Sequence, residues 1–212
     1  MAAKPSRLLI DGPVGSIETL FDPGEAGAQD ADRGVAVIAH PHPLYGGSMD
    51  NKVVSTLARA FAQCGWDAVR FNFRGVGASQ GEYDAGQGER RDMQAVVEHF
   101  VGAKRPLALA GFSFGGFVAA SLLTELWAAR PAAKIVLVGL ATSRFEIAPL
   151  PALAVPRTLV LHGDLDDTVP LHSVQDWAGP QNLPVTVVSG VGHFFHGQLP
   201  LLRDLVSRHL RD

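Results

Sequence analysis

From Val35 onward the chain returns repeatedly to short apolar runs: Val35–Ala39, Ala68–Asn72, Leu107–Ala110, Ile135–Val138, Thr158–Leu161 and Val185–Val188. Such runs lack the in-out alternation of a half-solvated strand. They suit strands buried on both faces of a parallel sheet. An earlier candidate strand is Ile17–Phe21. Between the runs lie segments of helical period. Val53, Val54, Leu57, Ala58 and Phe61 share one face, and Met93, Val96, Val97, Phe100 and Val101 another. Leu199, Leu202, Leu205, Val206 and Leu210 repeat the pattern, with Pro200 suited to a first turn. Strands alternating with helices predict a three-layer α/β domain, a mostly parallel central sheet with helices on both faces, and Gln29–Gly34 reads as a loop inside it. In such a fold reactive groups collect beyond the carboxyl ends of the strands.

The 212 residues, 47% hydrophobic and 18% charged, suffice for one sizeable core and are few for two, so residues 1–212 are expected to form a single domain. Eighteen Lys+Arg against 21 Asp+Glu give a net charge of −3, and neither sign forms a block. That balance argues against a nucleic-acid or membrane-surface partner. No run approaches the ~18 apolar residues of a membrane span, and MAAKPSRLLIDGPVGS lacks the pattern of a secretory leader, so a cytoplasmic location is expected. The single cysteine, Cys64, rules out an internal disulfide framework and is expected as a small buried apolar residue at a helix end.

The segment that carries chemistry is LALAGFSFGGFVAASLL, residues 107–123. A strand runs into Gly111-Phe112-Ser113-Phe114-Gly115, and a segment rich in Ala and Leu with helical spacing follows. This is G-x-S-x-G between a strand and a helix, the context in which it marks an exposed nucleophile. Glycines on each side of the serine remove side chains that would collide in a sharp turn. The helix N-terminus then offers unpaired N–H groups to a developing negative charge.

A serine hydroxyl needs a base, and the base needs a group to orient it. After TLVLH comes GDLDDTVP, with Asp164, Asp166 and Asp167; after VTVVS comes GVGHFFH, with His193 and His196. Both loops leave the same sheet edge as Ser113, in the order Ser, Asp, His.

The strings GFSFGG, HGDLDDTVP and GVGHFF resemble the α/β-hydrolase superfamily. HPHPLYGGSMDNKVV and FNFRGVGASQGEYDAGQGERRD are similar to its small bacterial branch of lidless, dienelactone-hydrolase-like proteins. The resemblance runs from about Val35 to the end of the chain. It implies a serine hydrolase for a carboxylic ester or thioester, carboxylesterase-like, in which Ser113 is the nucleophile, His193 the general base and then acid, and Asp166 the group that fixes the histidine tautomer. Asp164, Asp167 and His196 are the substitutes. Only residues 139–157 lie between the strand ending at Val138 and the next, too few for a lid domain.

His40-x-His42 raises a metal-dependent alternative. Residues i and i+2 of a strand share a face, yet Pro43, Leu44, Tyr45 and Gly46 supply no further ligands, so no metal and no cofactor are expected. An oxyanion hole needs an N–H from the residue after the nucleophile, Phe114, and one from the loop after an early strand. Pro41 and Pro43 have no N–H, which leaves His42 or Leu44, and the resemblance favours His42. The following helix is expected to be capped near Ser48 or Asp50.

The glycines of FRGVGASQG, at 75, 77 and 81, are spaced too widely for a dinucleotide-binding G-x-G-x-x-G. That stretch is expected to be a structural loop, with Arg74, Glu82 and Asp84 pairing locally and Glu89 and Asp92 in the first turn of the next helix, where negative charge suits the dipole. Tyr45, Phe112, Phe114, Phe145, Phe194 and Phe195 are candidates for an apolar acyl groove, Tyr45, Phe112, Phe145 and Phe194 foremost. No arginine is clearly placed to meet a substrate carboxylate. A non-catalytic ligand-binding protein on the same fold is the other alternative.

Overall fold

The computed structural model describes residues 4–25, 34–102 and 104–211. In chain order the strands are β1 (Ser6–Gly12), β2 (Gly15–Asp22), β3 (Val35–Ala39), β4 (Asp67–Phe71), β5 (Leu107–Phe112), β6 (Lys134–Val138), β7 (Thr158–Gly163) and β8 (Val185–Val188). The helices are α1 (Lys52–Gln63), α2 (Gln87–Val101), α3 (Phe114–Leu126), α4 (Leu171–Ala178) and α5 (Leu199–Arg211). The strands form one sheet in the order β1-β2-β4-β3-β5-β6-β7-β8. β1 pairs antiparallel with β2, and β2 with β4; from β4 to β8 every pairing is parallel.

The unalternating apolar runs are explained by what covers each face. Val35, Val37 and Ala39 of β3 point into a core that also holds Met93, Val96 and Val97 of α2 and Val118, Leu122 and Leu123 of α3. Ala36 and Ile38 point the opposite way, toward Val54, Leu57 and Phe61 of α1 and Leu202, Val206 and Leu210 of α5. Helices therefore lie on both sides, giving the three layers that the periodicity predicts.

β1 has no counterpart among the expected strands. Of its residues only Ile10 is buried, while Leu8 and Leu9 are exposed at the sheet edge, so an apolar-run criterion passes over it. It folds back on β2 through the tight turn between the paired Gly12 and Gly15.

Other local expectations need correction. α1 is capped by Asn51, whose side chain accepts from the N–H of Val53, and not by Ser48 or Asp50; Asp50 instead pairs with Arg7 at 2.8 Å. Cys64 is a free thiol at the C-cap of α1 and only half-buried, its Sγ 3.7 Å from the Ser207 carbonyl. Of the loop expected at Gln29–Gly34, residues 29–33 lie outside the described residues. Among the described residues no helix is long and apolar enough to cross a membrane.

Candidate active site

Ser113 follows the last residue of β5 and precedes the first of α3, with φ 55° and ψ −117°. A positive φ is costly for a residue with a Cβ, and the surroundings hold it. Its N–H donates to the Val138 carbonyl of β6 at 2.8 Å, and its carbonyl accepts from Gly116 and Phe117 at 3.0 and 3.2 Å. The flanking glycines are obligatory for steric reasons. A Cβ on Gly111 would run into the Gly115 carbonyl, and one on Gly115 into the Ala39 carbonyl of β3.

Asp166 and His193 come from the loops after β7 and β8, at the same carboxyl edge. The Asp166 Oδ1 accepts from the N–H groups of Thr168 at 3.0 Å and Val169 at 2.7 Å, while Oδ2 accepts from His193 Nδ1 at 2.7 Å. Burial alone would push this carboxyl up. The hydrogen bonds from His193 and Val169 hold it below the usual aspartate value. Asp164 and Asp167 are exposed, Asp164 accepting from the Gly190 N–H at 2.6 Å. His196 is exposed as well, against Phe194.

His193 and Ser113 share supports. Phe112, the residue before Ser113, lies under the His193 ring with centroids 4.8 Å apart. Gly139, the residue after the carbonyl that holds Ser113, is so close that a Cβ there would sit 3.1 Å from His193 Cε1. Two neighbours of the serine thus fix where the imidazole rests.

The loop after β3 answers the metal question. His40 is fully buried; its Nδ1 donates to the Pro41 carbonyl at 2.6 Å, and its Nε2 accepts from the Phe73 N–H at 3.0 Å. Both nitrogens are committed, so His40 has no lone pair to give an ion. Burial, opposed by the Pro41 hydrogen bond, lowers the His40 pKa to about 4. His42 accepts from the Leu44 N–H at Nδ1, 3.3 Å, and meets the Tyr83 hydroxyl at Nε2, 3.1 Å. The Leu44 N–H is therefore already engaged, whereas those of His42 and Phe114 have no acceptor among the described residues. Among the described residues no group of three His, Cys, Asp or Glu is placed to hold an ion.

His42, Ser113 and Phe114 open onto a cavity of about 350 Å³ whose wall includes Tyr45, Ala141, Phe145, Thr168 and Val169. Of the aromatic candidates, Tyr45, Phe114 and Phe145 line it. Phe112 is wholly buried beneath His193, and Phe195 is in the α1/α5 core; Phe194 lies half-exposed against His193, outside the lining. Arg144 also lines this cavity, a placement without a forewarning in the chain: its loop carries no periodic or motif signal. A larger hollow of about 500 Å³, between the start of α2 and α3, lies beyond the stacked Phe117–Phe145 pair. Arg90 and Glu125 of its lining form an ion pair at 3.0 Å, Glu146 also lines it, and it does not contain Ser113.

The FRGVGASQG stretch is a structural loop. Arg74 leaves it to pair bidentately with Asp92 at 2.9 and 2.8 Å and reaches Asp84 only at 4.0 Å. Asp92 thus answers a buried guanidinium and not the helix dipole. Glu89 caps α2, accepting from the N–H groups of Asp84 and Gly86 at 2.9 and 2.7 Å.

Residues 33–146 match the family described as serine aminopeptidase, S33. The chain belongs to this family of α/β hydrolases. The match covers Ser113 and stops short of Asp166 and His193, so those two stand on the geometry above. The hydrolase is 39% identical to an α/β serine hydrolase homologue from Coxiella burnetii, covering 97% of both chains with a TM-score of 0.81. It is 33% identical to an α/β serine hydrolase without a lid from Xanthomonas campestris, covering 100% of this chain and 95% of that one, with a TM-score of 0.86. An uncharacterized protein of Rickettsia prowazekii is 30% identical over 206 residues, 89% of this chain and 82% of that protein.

Proposed function

We propose that the protein cleaves a carboxylic ester or thioester through an acyl-enzyme on Ser113. The observation that carries this reading is the 2.7 Å contact of His193 Nδ1 with a buried Asp166, beside a serine held at positive φ. A donated Nδ1–H leaves the Nε2 lone pair free to take the Ser113 proton as Oγ attacks the acyl carbon. The Asp166 charge stabilises the imidazolium that forms. The N–H groups of His42 and Phe114 meet the oxyanion, and His193 then protonates the leaving alkoxide or thiolate. Water, deprotonated by the same nitrogen, releases the acid and restores the serine.

The charge of the cavity bears on substrate. An aminopeptidase must seat an α-ammonium, which calls for a carboxylate near the scissile bond. Among the described residues lining this cavity there is none, and the charged group present is Arg144. Neutral or anionic acyl groups fit, and a free N-terminal amine does not. His42, Tyr45, Phe114 and Phe145 offer ring surface to the acyl chain.

The test is hydrolysis of short-chain p-nitrophenyl esters and acyl thioesters by the wild type and by Ser113→Ala, with fluorophosphonate labelling located by mass spectrometry. Label on Ser113 and near-complete loss of turnover in the variant are expected. Equal turnover in Ser113→Ala would sink the covalent mechanism.

A further inference from the structure

One buried titratable side chain beside Asp166 has no part in the mechanism above. His162, the penultimate residue of β7, is fully buried. Its Nε2 lies 2.8 Å from the Val169 carbonyl and 3.4 Å from Asp166 Oδ2. A carbonyl only accepts, so the proton is on Nε2. Among the described residues Nδ1 is the one buried side-chain polar atom without a hydrogen-bond partner. An imidazole whose other nitrogen goes unsatisfied is an expensive way to hold a single carbonyl.

Val169 joins the two ends of the arrangement. Its N–H donates to Asp166 Oδ1 at 2.7 Å, and its carbonyl accepts from His162. His162 Nε2 also lies 3.4 Å from Oδ2, the oxygen that receives His193 Nδ1 at 2.7 Å. The turn therefore fixes one carboxylate oxygen, while His162 braces the turn and stands close to the other.

We infer that His162 is a positioning residue: its Nε2–H, given to the Val169 carbonyl, braces the turn that holds the Asp166 carboxylate in line with His193 Nδ1. The inference rests on the Ser113–His193–Asp166 reading. Burial, against the pull of the Val169 hydrogen bond and the Asp166 charge, keeps the His162 pKa below the ordinary histidine value. A neutral neighbour leaves the full Asp166 charge to the His193 imidazolium.

Three readouts test this in the intact protein. In the wild type, ¹⁵N NMR of labelled histidine should show His162 as the neutral Nε2–H tautomer at pH 7; an Nδ1–H tautomer or an imidazolium overturns the inference without any variant. His162→Leu, which fills the space without a donor, should lower kcat by roughly 10-fold or more with KM little changed. His162→Gln, which can return an N–H near the Nε2 position, should recover most of that loss. A folded His162→Leu with wild-type kcat overturns the inference. So does a Gln variant as impaired as Leu. Asp166→Asn run alongside separates the two claims: wild-type turnover in that variant defeats the triad, whereas loss there with none in His162→Leu defeats only the role of His162.

Discussion

The Ser113 amide donates to the Val138 carbonyl at 2.8 Å, and the residue after that carbonyl, Gly139, is the floor on which His193 rests. The end of β6 thus sets both the strained serine and the imidazole, although it contributes no reacting group. Gly139→Ala should separate stability from activity. With φ at 53° an alanine costs roughly 1–2 kcal/mol. Its Cβ, 3.1 Å from His193 Cε1, would displace the ring and lower kcat by roughly 10-fold or more. A thermal melt and steady-state kinetics check it; a lowered Tm with unchanged kcat would show that the ring is free to shift.

Asp166→Asn should keep the fold and lose the chemistry. An amide oxygen can still accept from Thr168 and Val169, as Oδ1 does now, but an amide cannot hold the Nδ1–H tautomer as a carboxylate does. A drop in kcat on the order of 10⁴ is expected, with a melting curve close to wild type. The same substitution at Asp164 or Asp167, both exposed, should leave kcat near wild type.

Stability should fall on the acid side through His40. Its folded-state pKa of about 4 lies below the 6.5 of an unperturbed histidine, so between these values the unfolded chain binds a proton that the folded protein refuses. The His40 contribution is fully present above pH 6.5 and is lost progressively down to pH 4, about 3 kcal/mol in all. His162, also lowered by burial, adds to the loss in the same direction. Asp166, held below its usual value, acts only further down: its contribution is present above pH 3.8 and disappears as pH falls through the lower folded value. Urea titrations at pH 8, 6.5, 5 and 4 measure the slope. An equal slope in His40→Gln would assign it to another group.

Arg144→Glu should change substrate preference without changing stability. The side chain is exposed, so the melting free energy should move by less than about 0.5 kcal/mol. KM for an acyl group that carries a carboxylate should rise about fivefold, while that of a short neutral acyl ester should stay put. Equal KM changes for both substrates would remove Arg144 from acyl recognition.

Chelators should leave ester hydrolysis intact. His40 cannot bind an ion without giving up the Phe73 N–H that its Nε2 accepts at 3.0 Å. Loss of turnover with EDTA and recovery with zinc would revive the metal-dependent reading.

The elbow at Ser113 was legible because everything that shapes it is adjacent in the chain: strand, glycine, serine, glycine, helix. Choosing among Asp164, Asp166 and Asp167 was a different problem. All three sit in one acidic turn, and what separates them is that Asp166 alone is buried against His193, a residue of another strand's loop. Which aromatic rings line the cavity was hidden for a related reason. Phe112 and Phe194 flank the motif residues in sequence, but strand alternation sends Phe112 into the core under His193, while Phe194 stands half-exposed outside the cavity. Arg144 lines the cavity from a loop without a pattern of its own, and His162, although it opens the HGDLDDTVP string, carries no local signal of its place beside Asp166.

By itself the sequence determined the α/β layering, because residues buried on both faces of a strand must be apolar at every position, and it determined the elbow at Ser113, because sharp backbone turns demand glycine locally. Only the tertiary structure decided which acid meets which histidine, that the His40 imidazole ties Pro41 to Phe73, and which aromatic rings face the cavity. Those outcomes depend on distances between segments far apart in the chain, and such distances are set by the packing of the whole sheet and not by any local pattern.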